Sequence, residues 1–221
     1  PLQVNITLLR IDDHQPRNTP KQHLQHFYRS FEEVENKYFD GMIITGAPLD
    51  QKHFSDVLYW ERLQRIIKWS ETHVTSTLFS CWAVCAGLKT FYGADPVFRD
   101  SKLSGVFREK TNLNSNDTLI RGFDDEFLAP HSRWVDFSRP YIRRNTDLTI
   151  LADGPESGMY LGVSADKRQV YVTGHPEYDA TTLKDEYLRD EAAGLNPQLP
   201  AHYFEHDDPS SEVSMTWRSH A

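Results

Sequence analysis

Apolar and polar positions in the first part of the chain alternate between strand and helix periods. Residues 2–9 alternate apolar and polar side chains, which predicts a strand. Residues 24–34 carry apolar side chains at helical spacing and predict an amphipathic helix. The apolar run at residues 41–46 predicts a strand buried on both faces of a parallel sheet. Together these segments predict a βαβ unit.

The same order repeats in the next stretch of the chain. Residues 56–69 have helical apolar spacing, and an apolar, β-branched run from Val74 to Phe79 follows and ends at Cys81. Residues 83–88 are small, apolar and compatible with a helix. This repeated alternation predicts an α/β fold with a doubly wound, mostly parallel sheet flanked by helices.

The periodicity of apolar and polar positions is weaker in the second half of the chain. Residues 93–116 are polar and predict a loop-rich segment, residues 118–128 predict mixed strand and turn, and residues 129–137 show no clear period. Further elements are predicted as follows: a strand at 148–152, a hairpin of 158–163 with 169–173, a helix at 181–193, and an extended surface tail over the last 25 or so residues.

Composition narrows the protein class. The chain has 221 residues with 32 Asp and Glu against 24 Lys and Arg, which argues against a nucleic-acid binder. We expect a single domain over residues 1–221, with no membrane association because no apolar run approaches the ~20 residues of a membrane span. Since the chain begins at Pro1, we expect a natural N-terminal segment to be missing. Its two cysteines suit a reducing cytoplasm, and without further ligands they predict no metal site.

Cys81 is the first candidate for chemistry. A strand that ends in a nucleophile on a sharp turn, followed at once by a helix, is the elbow of several hydrolase-like enzymes. The helix N-terminus favours a thiolate and can hold an oxyanion. A buried structural cysteine explains the pattern equally well.

His175 and Glu177 follow the last predicted strand, so they can lie beside Cys81 at the carboxyl edge of a parallel sheet. A thiolate needs a base, and the base needs an orienting group. The alternative is a surface histidine, since the chain has 10 of them. Gly46 also ends a predicted strand, where it allows either a ligand-binding turn or a plain turn.

The chain resembles the transsuccinylase type of homoserine O-acyltransferase, which shares the flavodoxin-like fold of class I glutamine amidotransferases. The resemblance covers nearly the whole chain. Among the motifs that carry it are FDGMIITGAP (39–48), CW with AGL around Cys81, HSR (131–133), GHPEYD (174–179) and RDEAAGLNP (189–197). This family has an N-terminal segment of several tens of residues that is absent here.

The resemblance implies a mechanism in which Cys81 takes the acyl group of an acyl-CoA as a thioester. His175 would move the proton and Glu177 would orient His175. The acyl group would then pass to the hydroxyl of homoserine. The N–H groups near Gly46 and Ala47 and that of Trp82 would form the oxyanion hole.

The family's acceptor-binding positions match five residues of this chain: Lys102, Ser132, Arg133, Tyr178 and Arg189. Arg189 would clamp the substrate carboxylate, although an ion pair with Asp185 on the same helix is an alternative. Lys102 has the alternative of a solvated surface residue.

Asp50 matches the position that sets acyl specificity, which is glycine in succinyl users and glutamate in many acetyl users. A carboxylate there would repel the succinyl carboxylate, so we expect acetyl-CoA rather than succinyl-CoA as co-substrate. No bound cofactor is expected, and the resemblance implies a homodimer.

The elbow departs from the family pattern CWGAQAGL at Ala83, Val84 and Cys85, and Phe79 replaces a common histidine. These changes leave serine open as the acceptor, which would make the protein a serine O-acetyltransferase of cysteine biosynthesis. A glutamine amidohydrolase and a binding module that has lost activity are further alternatives. The leading prediction is a homoserine O-acyltransferase of methionine biosynthesis.

Overall fold

The computed structural model describes residues 3–11, 27–49 and 51–218. Short 3-10 turns lie at Phe54–Asp56, Thr118–Ile120 and Glu205–Asp207. The strands are β1 (Leu8–Leu9), β2 (Tyr28–Arg29), β3 (Phe39–Ile44), β4 (Val74–Ser80), β5 (Val97–Thr111), β6 (Glu126–Asp136), β7 (Thr149–Gly154), β8 (Gly158–Val163) and β9 (Gln169–Val172). The helices are α1 (Trp60–His73), α2 (Trp82–Tyr92), α3 (Arg139–Asn145) and α4 (Thr182–Ala192).

Seven of these strands form one mixed sheet in the order β3-β4-β9-β8-β7-β5-β6. Strands β3, β4 and β9 run parallel, whereas the pairs from β9 through β8, β7 and β5 to β6 are antiparallel. The α/β fold is therefore as predicted, but the sheet is mixed rather than mostly parallel. The predicted hairpin of β8 and β9 is confirmed, and so is the parallel pair that carries the elbow.

The βαβ unit predicted for the N-terminal part of the chain is wrong for the residues that the structure describes. Strand β1 pairs with β2 in a separate two-stranded sheet, so it forms no βαβ unit with the central sheet. Phe31 and Val34 lie in turns rather than in a helix. Both are buried against Ile66 of α1, which explains their apolar spacing without a helix. Leu2 and residues 24–26 lie outside the described residues.

The prediction that the apolar run at residues 41–46 is buried on both faces of the sheet is also wrong. Its strand, β3, is at the end of the sheet, and Ile43 is 66% exposed. The predicted loop at residues 93–116 contains the long strand β5, and residues 129–136 belong to β6. These two strands are rich in charged and hydroxyl side chains, yet their backbones pair with each other along most of their length.

The elbow strand and its helix pack into the main core. Phe79 of β4 stacks on Tyr171 of β9 with ring centroids 5.0 Å apart. Helix α2 lies against both rings, and a Cβ added at Gly87 would come within 2.9 Å of each of them. Small side chains such as Ala83 let α2 approach the sheet this closely, which fixes the position of Cys81 at its first turn.

The C-terminal tail is anchored more firmly than a surface tail. Ala201 hydrogen-bonds across the Gly105 position of β5, donating to the Ser104 carbonyl and accepting from the Val106 N–H. Helix α4 agrees with its prediction. Buried aromatic side chains hold the tail against α4 and β5: Tyr203, Phe204 and Trp217.

Candidate active site

Cys81 lies on a strained turn between β4 and α2. Its backbone has φ 52° and ψ −120°, a conformation that a non-glycine residue rarely adopts. The residue is 8% exposed, and its Sγ lies 4.0 Å from the Ser132 carbonyl oxygen. Since Cys81 is the N-cap of α2, the sulfur lies at the positive end of the helix, as the sequence predicts.

His175 and Glu177 follow β9, the parallel neighbour of β4. The His175 Nδ1 hydrogen-bonds the Glu177 Oε1 at 2.8 Å, and Cys81 is close enough to the imidazole to raise its pKa. Burial alone lowers the pKa of His175, but the hydrogen bonds and charges of Cys81 and Glu177 outweigh it and raise the pKa to about 10. The three residues expected from the sequence thus form one connected set.

The loop after β3 lies directly against the elbow. An ideal Cβ at Gly46 would be 3.1 Å from the Cys81 Cβ and 3.5 Å from the Trp82 nitrogen. The Trp82 N–H is the first of α2, so it has no intrahelical acceptor. Gly46 and the Trp82 N–H therefore lie next to Cys81, and the oxyanion hole expected from Gly46, Ala47 and Trp82 stays a prediction.

A cleft of about 1270 Å³ opens over these residues. Ala47 lines it beside Gly46, and residues 195–199 of the chain close one side. It is lined by nine of the residues predicted from the sequence: Gly46, Ala47, Cys81, Lys102, Ser132, His175, Glu177, Tyr178 and Arg189.

Glu186 of α4 is a hub that sequence reasoning missed. Its carboxylate accepts hydrogen bonds from the Ser132 Oγ at 2.5 Å and the Tyr178 hydroxyl at 2.7 Å. It also pairs with the Lys102 Nζ at 3.0 Å. Burial raises the pKa of Glu186, but these partners outweigh it and hold the pKa below its usual value. The spacing of Glu186 three residues before Arg189 on α4 is the signal that could have found it.

Arg189 pairs with its neighbour in sequence rather than with Asp185. Its guanidinium donates to the Asp190 Oδ1 at 2.7 Å, and its side chain is 66% exposed. The Asp185 carboxylate instead accepts from the Thr181 hydroxyl. Lys102 also reaches the Asp190 Oδ2 at 3.4 Å, so it is not a solvated surface residue. Glu186, Asp190 and Arg189 of α4 and Lys102 of β5 thus form one group of opposite charges in the cleft wall.

Arg133 lies under the cleft floor rather than in the cleft. It is 1% exposed and donates to the Val135 carbonyl, while Asp136 pairs with its guanidinium at 3.0 Å. The guanidinium also contacts the Nδ1 of His131, whose Nε2 is 2.9 Å from the Glu109 Oε1. Direct contact between Arg133 and a substrate stays a prediction, and this geometry does not favour it.

Burial shifts the pKa values of Glu109 and His131, which connect to Arg133. It raises the pKa of Glu109 to about 7 and lowers the pKa of His131 well below its usual value. Burial therefore shifts both residues toward their neutral forms.

Three further expectations concern Asp50, metal binding and membrane association. Asp50, the predicted specificity residue, lies outside the described residues. Among residues 3–11, 27–49 and 51–218, no three His, Cys, Asp or Glu side chains are arranged to hold a metal ion. Over the same part of the chain, no helix has the length and apolarity to cross a membrane.

Solved structures share this fold at low sequence identity. A glutamine amidotransferase from Thermotoga maritima superposes with a TM-score of 0.55 at 14% identity, over 69% of this chain and 63% of that one, which is less than two thirds of its length. The glutaminase domain of Trypanosoma brucei CTPS, with bound acivicin, has a TM-score of 0.57 at 10% identity over 89% and 83%. These structural similarities confirm the class I glutamine amidotransferase-like fold.

Relatives of higher identity point to acyl transfer. The homoserine O-acetyltransferase of Succinatimonas hippei is 62% identical over 221 residues, which is 100% of this chain and 73% of the relative. The homoserine O-succinyltransferase of Aeromonas salmonicida is 54% identical over 220 residues, which is 100% of this chain and 70% of the relative. Both are named for homoserine, so serine as the acceptor is not supported.

The sequence profile of the homoserine O-succinyltransferase family matches residues 1–221. The chain therefore belongs to the homoserine O-succinyltransferase family and is an enzyme of the homoserine O-acyltransferase type.

Proposed function

We propose that this enzyme moves an acetyl group from acetyl-CoA to the hydroxyl of L-homoserine through a thioester on Cys81. The observation that carries the proposal is the connected set of Cys81, His175 and Glu177 at the base of one cleft. A histidine beside the sulfur and a helix N-terminus at the sulfur are features that activate cysteine nucleophiles.

In the first half-reaction the Cys81 sulfur attacks the thioester carbonyl of the acyl-CoA. A tetrahedral oxyanion forms, and the backbone N–H groups around Gly46 and Trp82, which adjoin the elbow, would stabilise the oxyanion. The bond between the carbonyl carbon and the CoA sulfur breaks. His175, whose pKa is raised to about 10, is protonated at neutral pH and supplies the proton to the CoA thiolate.

In the second half-reaction the homoserine hydroxyl attacks the acyl-enzyme. Neutral His175, left by the first step, takes the hydroxyl proton, and Glu177 holds the imidazolium through Nδ1. The carbonyl–Cys81 bond then breaks, which releases O-acylhomoserine and the thiolate. The acylated oxygen is a better leaving group than a hydroxyl, which suits a step of methionine biosynthesis.

The cleft matches the opposite charges of a free amino acid. Glu186 and Asp190 can accept the ammonium group, and Lys102 and Arg189 can meet the carboxylate. Substrate would then exchange partners with the existing ion pairs instead of leaving any charge unpaired, which keeps the desolvation cost low.

Two observations favour acetyl-CoA over succinyl-CoA. The relative that is 62% identical carries the name homoserine O-acetyltransferase. Asp50 follows Gly46 and Ala47 in the sequence and matches the acyl-specificity position of the resembled family, where a carboxylate would repel the second carboxylate of a succinyl group.

CoA release with acetyl-CoA and with succinyl-CoA, each with homoserine, tests the donor. We expect a higher kcat/KM for acetyl-CoA, and Asp50→Gly is expected to raise kcat/KM for succinyl-CoA by about tenfold or more, since a close like charge costs over 1 kcal/mol. Asp100→Asn, which removes another carboxylate that lines the cleft, is the matched control. A wild-type preference for succinyl-CoA would overturn the donor assignment.

A homodimer, implied by the family resemblance, is part of the same proposal. Light scattering during gel filtration measures it directly, and a mass of 25.6 kDa at micromolar concentration would contradict it.

A further inference from the structure

We infer that Trp217 is a positioning residue for the catalytic histidine, which it reaches through Tyr178. The inference rests on the proposed function of His175 as the proton carrier. It concerns the tail of the chain, for which the sequence predicts no role in the reaction.

Trp217 holds a backbone carbonyl of the catalytic loop. Its indole Nε1 donates to the Tyr178 carbonyl oxygen at 2.9 Å, and the side chain is 1% exposed. The ring packs in a cluster with Val106 of β5 and Leu183 of α4. Because these elements belong to the sheet and to the cleft wall, the hydrogen bond ties the loop to fixed structure.

Tyr178 links that bond to both parts of the site. Its ring stacks on the His175 imidazole, with centroids 4.3 Å apart and planes 20° apart. Its backbone N–H donates to the His175 carbonyl at 3.1 Å, and its hydroxyl donates to the Glu186 Oε1 at 2.7 Å. A shift of the Tyr178 backbone therefore moves the base and the acceptor hub together.

A second tail residue holds the same loop from its other end. The Tyr203 hydroxyl donates to the Ala180 carbonyl and accepts from the Lys184 N–H at 3.3 Å. Tyr203 is itself placed by Ala201, which pairs with β5 on either side of Gly105. A Cβ at Gly105 would come within 2.3 Å of the Ala201 carbonyl oxygen, so glycine is needed for this approach.

The energetic consequence of losing the Trp217 donor is local. The Tyr178 carbonyl would be left without this partner in a partly buried setting, and the loop would relax to find another. Catalysis depends on sub-ångström placement of reacting groups, so a small displacement of His175 is expected to cost more in rate than in folding.

Trp217→Phe removes the donor and keeps an aromatic ring. The matched control is Trp69→Phe, because the Trp69 Nε1 donates to the Glu35 carbonyl at 2.7 Å in a part of the molecule away from the cleft. We expect similar losses of stability in both variants. Trp217→Phe is expected to lower kcat about tenfold and raise the KM for homoserine, whereas Trp69→Phe stays within about twofold of the wild type.

A double variant separates positioning from stability. If Trp217 acts through Tyr178, then Trp217→Phe combined with Tyr178→Ala, which removes the ring that stacks on His175, lowers kcat by less than the product of the two single effects. Independent, multiplicative effects would contradict the inference. So would a Trp217→Phe variant with kcat and KM unchanged while its stability falls as in Trp69→Phe.

Tyr203→Phe gives a second test if Trp217→Phe does not fold. It removes only one hydroxyl, and we expect a lower kcat with an unchanged KM for the acyl-CoA. An unchanged kcat would overturn the role of the tail. Failure of the proposed function is distinguishable, because it would show as absent acyl transfer in the wild-type enzyme.

Discussion

The backbone N–H of Cys81 donates to the carbonyl oxygen of Val172 at 2.9 Å. This bond joins the elbow to the last residue of β9, and His175 follows three residues later. The proposed nucleophile, Cys81, and the proposed base, His175, therefore follow directly from the ends of two adjacent parallel strands. Such placement keeps the reacting groups aligned without a cost in ordering when substrate binds.

Gly46→Ala tests the backbone groups beside the sulfur. The added Cβ would lie 3.1 Å from the Cys81 Cβ, which forces the loop away from the Trp82 N–H. We expect kcat to fall by about 10- to 100-fold, as when an oxyanion donor is displaced. Gly41→Ala on β3, the strand before this loop, is the control, because its Cβ would meet only the Ser76 carbonyl at 3.9 Å. Equal activities of the two variants, measured by CoA release, would contradict this role.

Glu177→Gln is expected to lower the pKa of His175. The histidine's folded pKa of about 10 is above its usual 6.5, so its protonated form contributes stability that is complete below pH 6.5 and is lost as pH rises toward 10. We therefore expect the stability difference between wild type and variant to be largest between pH 4.5 and 6.5, and to vanish above pH 10.

NMR titration of the His175 ring and denaturant unfolding across this pH range measure the effect. Glu156→Gln is the control, since it removes a carboxylate from the exposed His202–Glu156 pair. A His175 titration that does not move in Glu177→Gln would show that the hydrogen bond at 2.8 Å does not hold the imidazolium.

Glu186→Gln tests the acceptor site. The amide keeps the size of the side chain but removes the charge that pairs with Lys102 and that would meet the substrate ammonium group. We expect the KM for homoserine to rise by about tenfold or more while the KM for the acyl-CoA stays within about twofold. Glu191→Gln on the same helix, where the exposed carboxylate accepts from the Tyr187 hydroxyl, should change neither value.

Glu109→Gln tests the buried network under the floor. Burial raises the folded pKa of Glu109 from 4.5 to about 7, so the wild type loses stability as pH rises through this window. The variant has no such titration, so we expect its stability relative to wild type to increase between pH 4.5 and 7. Thermal unfolding at a series of pH values measures this, with exposed Glu126→Gln as the control. A parallel pair of curves for wild type and Glu109→Gln would contradict the prediction.

The sequence predicted the elements that obey local rules. The strand-to-helix change at Cys81 and the helix at residues 181–193 follow from apolar periodicity and from the turn between them. The set of Cys81, His175 and Glu177 follows because the ends of parallel strands meet at one edge of a sheet. These features depend on neighbours in sequence or on a general rule of topology.

Features that depend on partners distant in sequence were missed. The polar sequence of strand β5 resembles that of a loop. The strand forms because its backbone pairs with β6 and β7, which lie far away in the sequence or cannot be identified from it. The edge position of β3 cannot be read from its apolar run, because burial depends on which strands lie beside it. Glu186 becomes a hub only when β5, β6 and α4 meet, and Arg133 is buried because its charge is paired with Asp136.

The most direct test of the central claim is the intact mass of the enzyme after mixing with acetyl-CoA in the absence of homoserine. We predict an adduct of one acetyl group on Cys81 that disappears when homoserine is added, with O-acetylhomoserine as the product. Cys81→Ala is expected to form no adduct and to lose about 10³-fold or more in kcat. The control variant, Cys85→Ala at the other buried cysteine, is expected to form the adduct and to keep the kcat of the wild type. Turnover without any adduct, or an active Cys81→Ala enzyme, would contradict a thioester on Cys81.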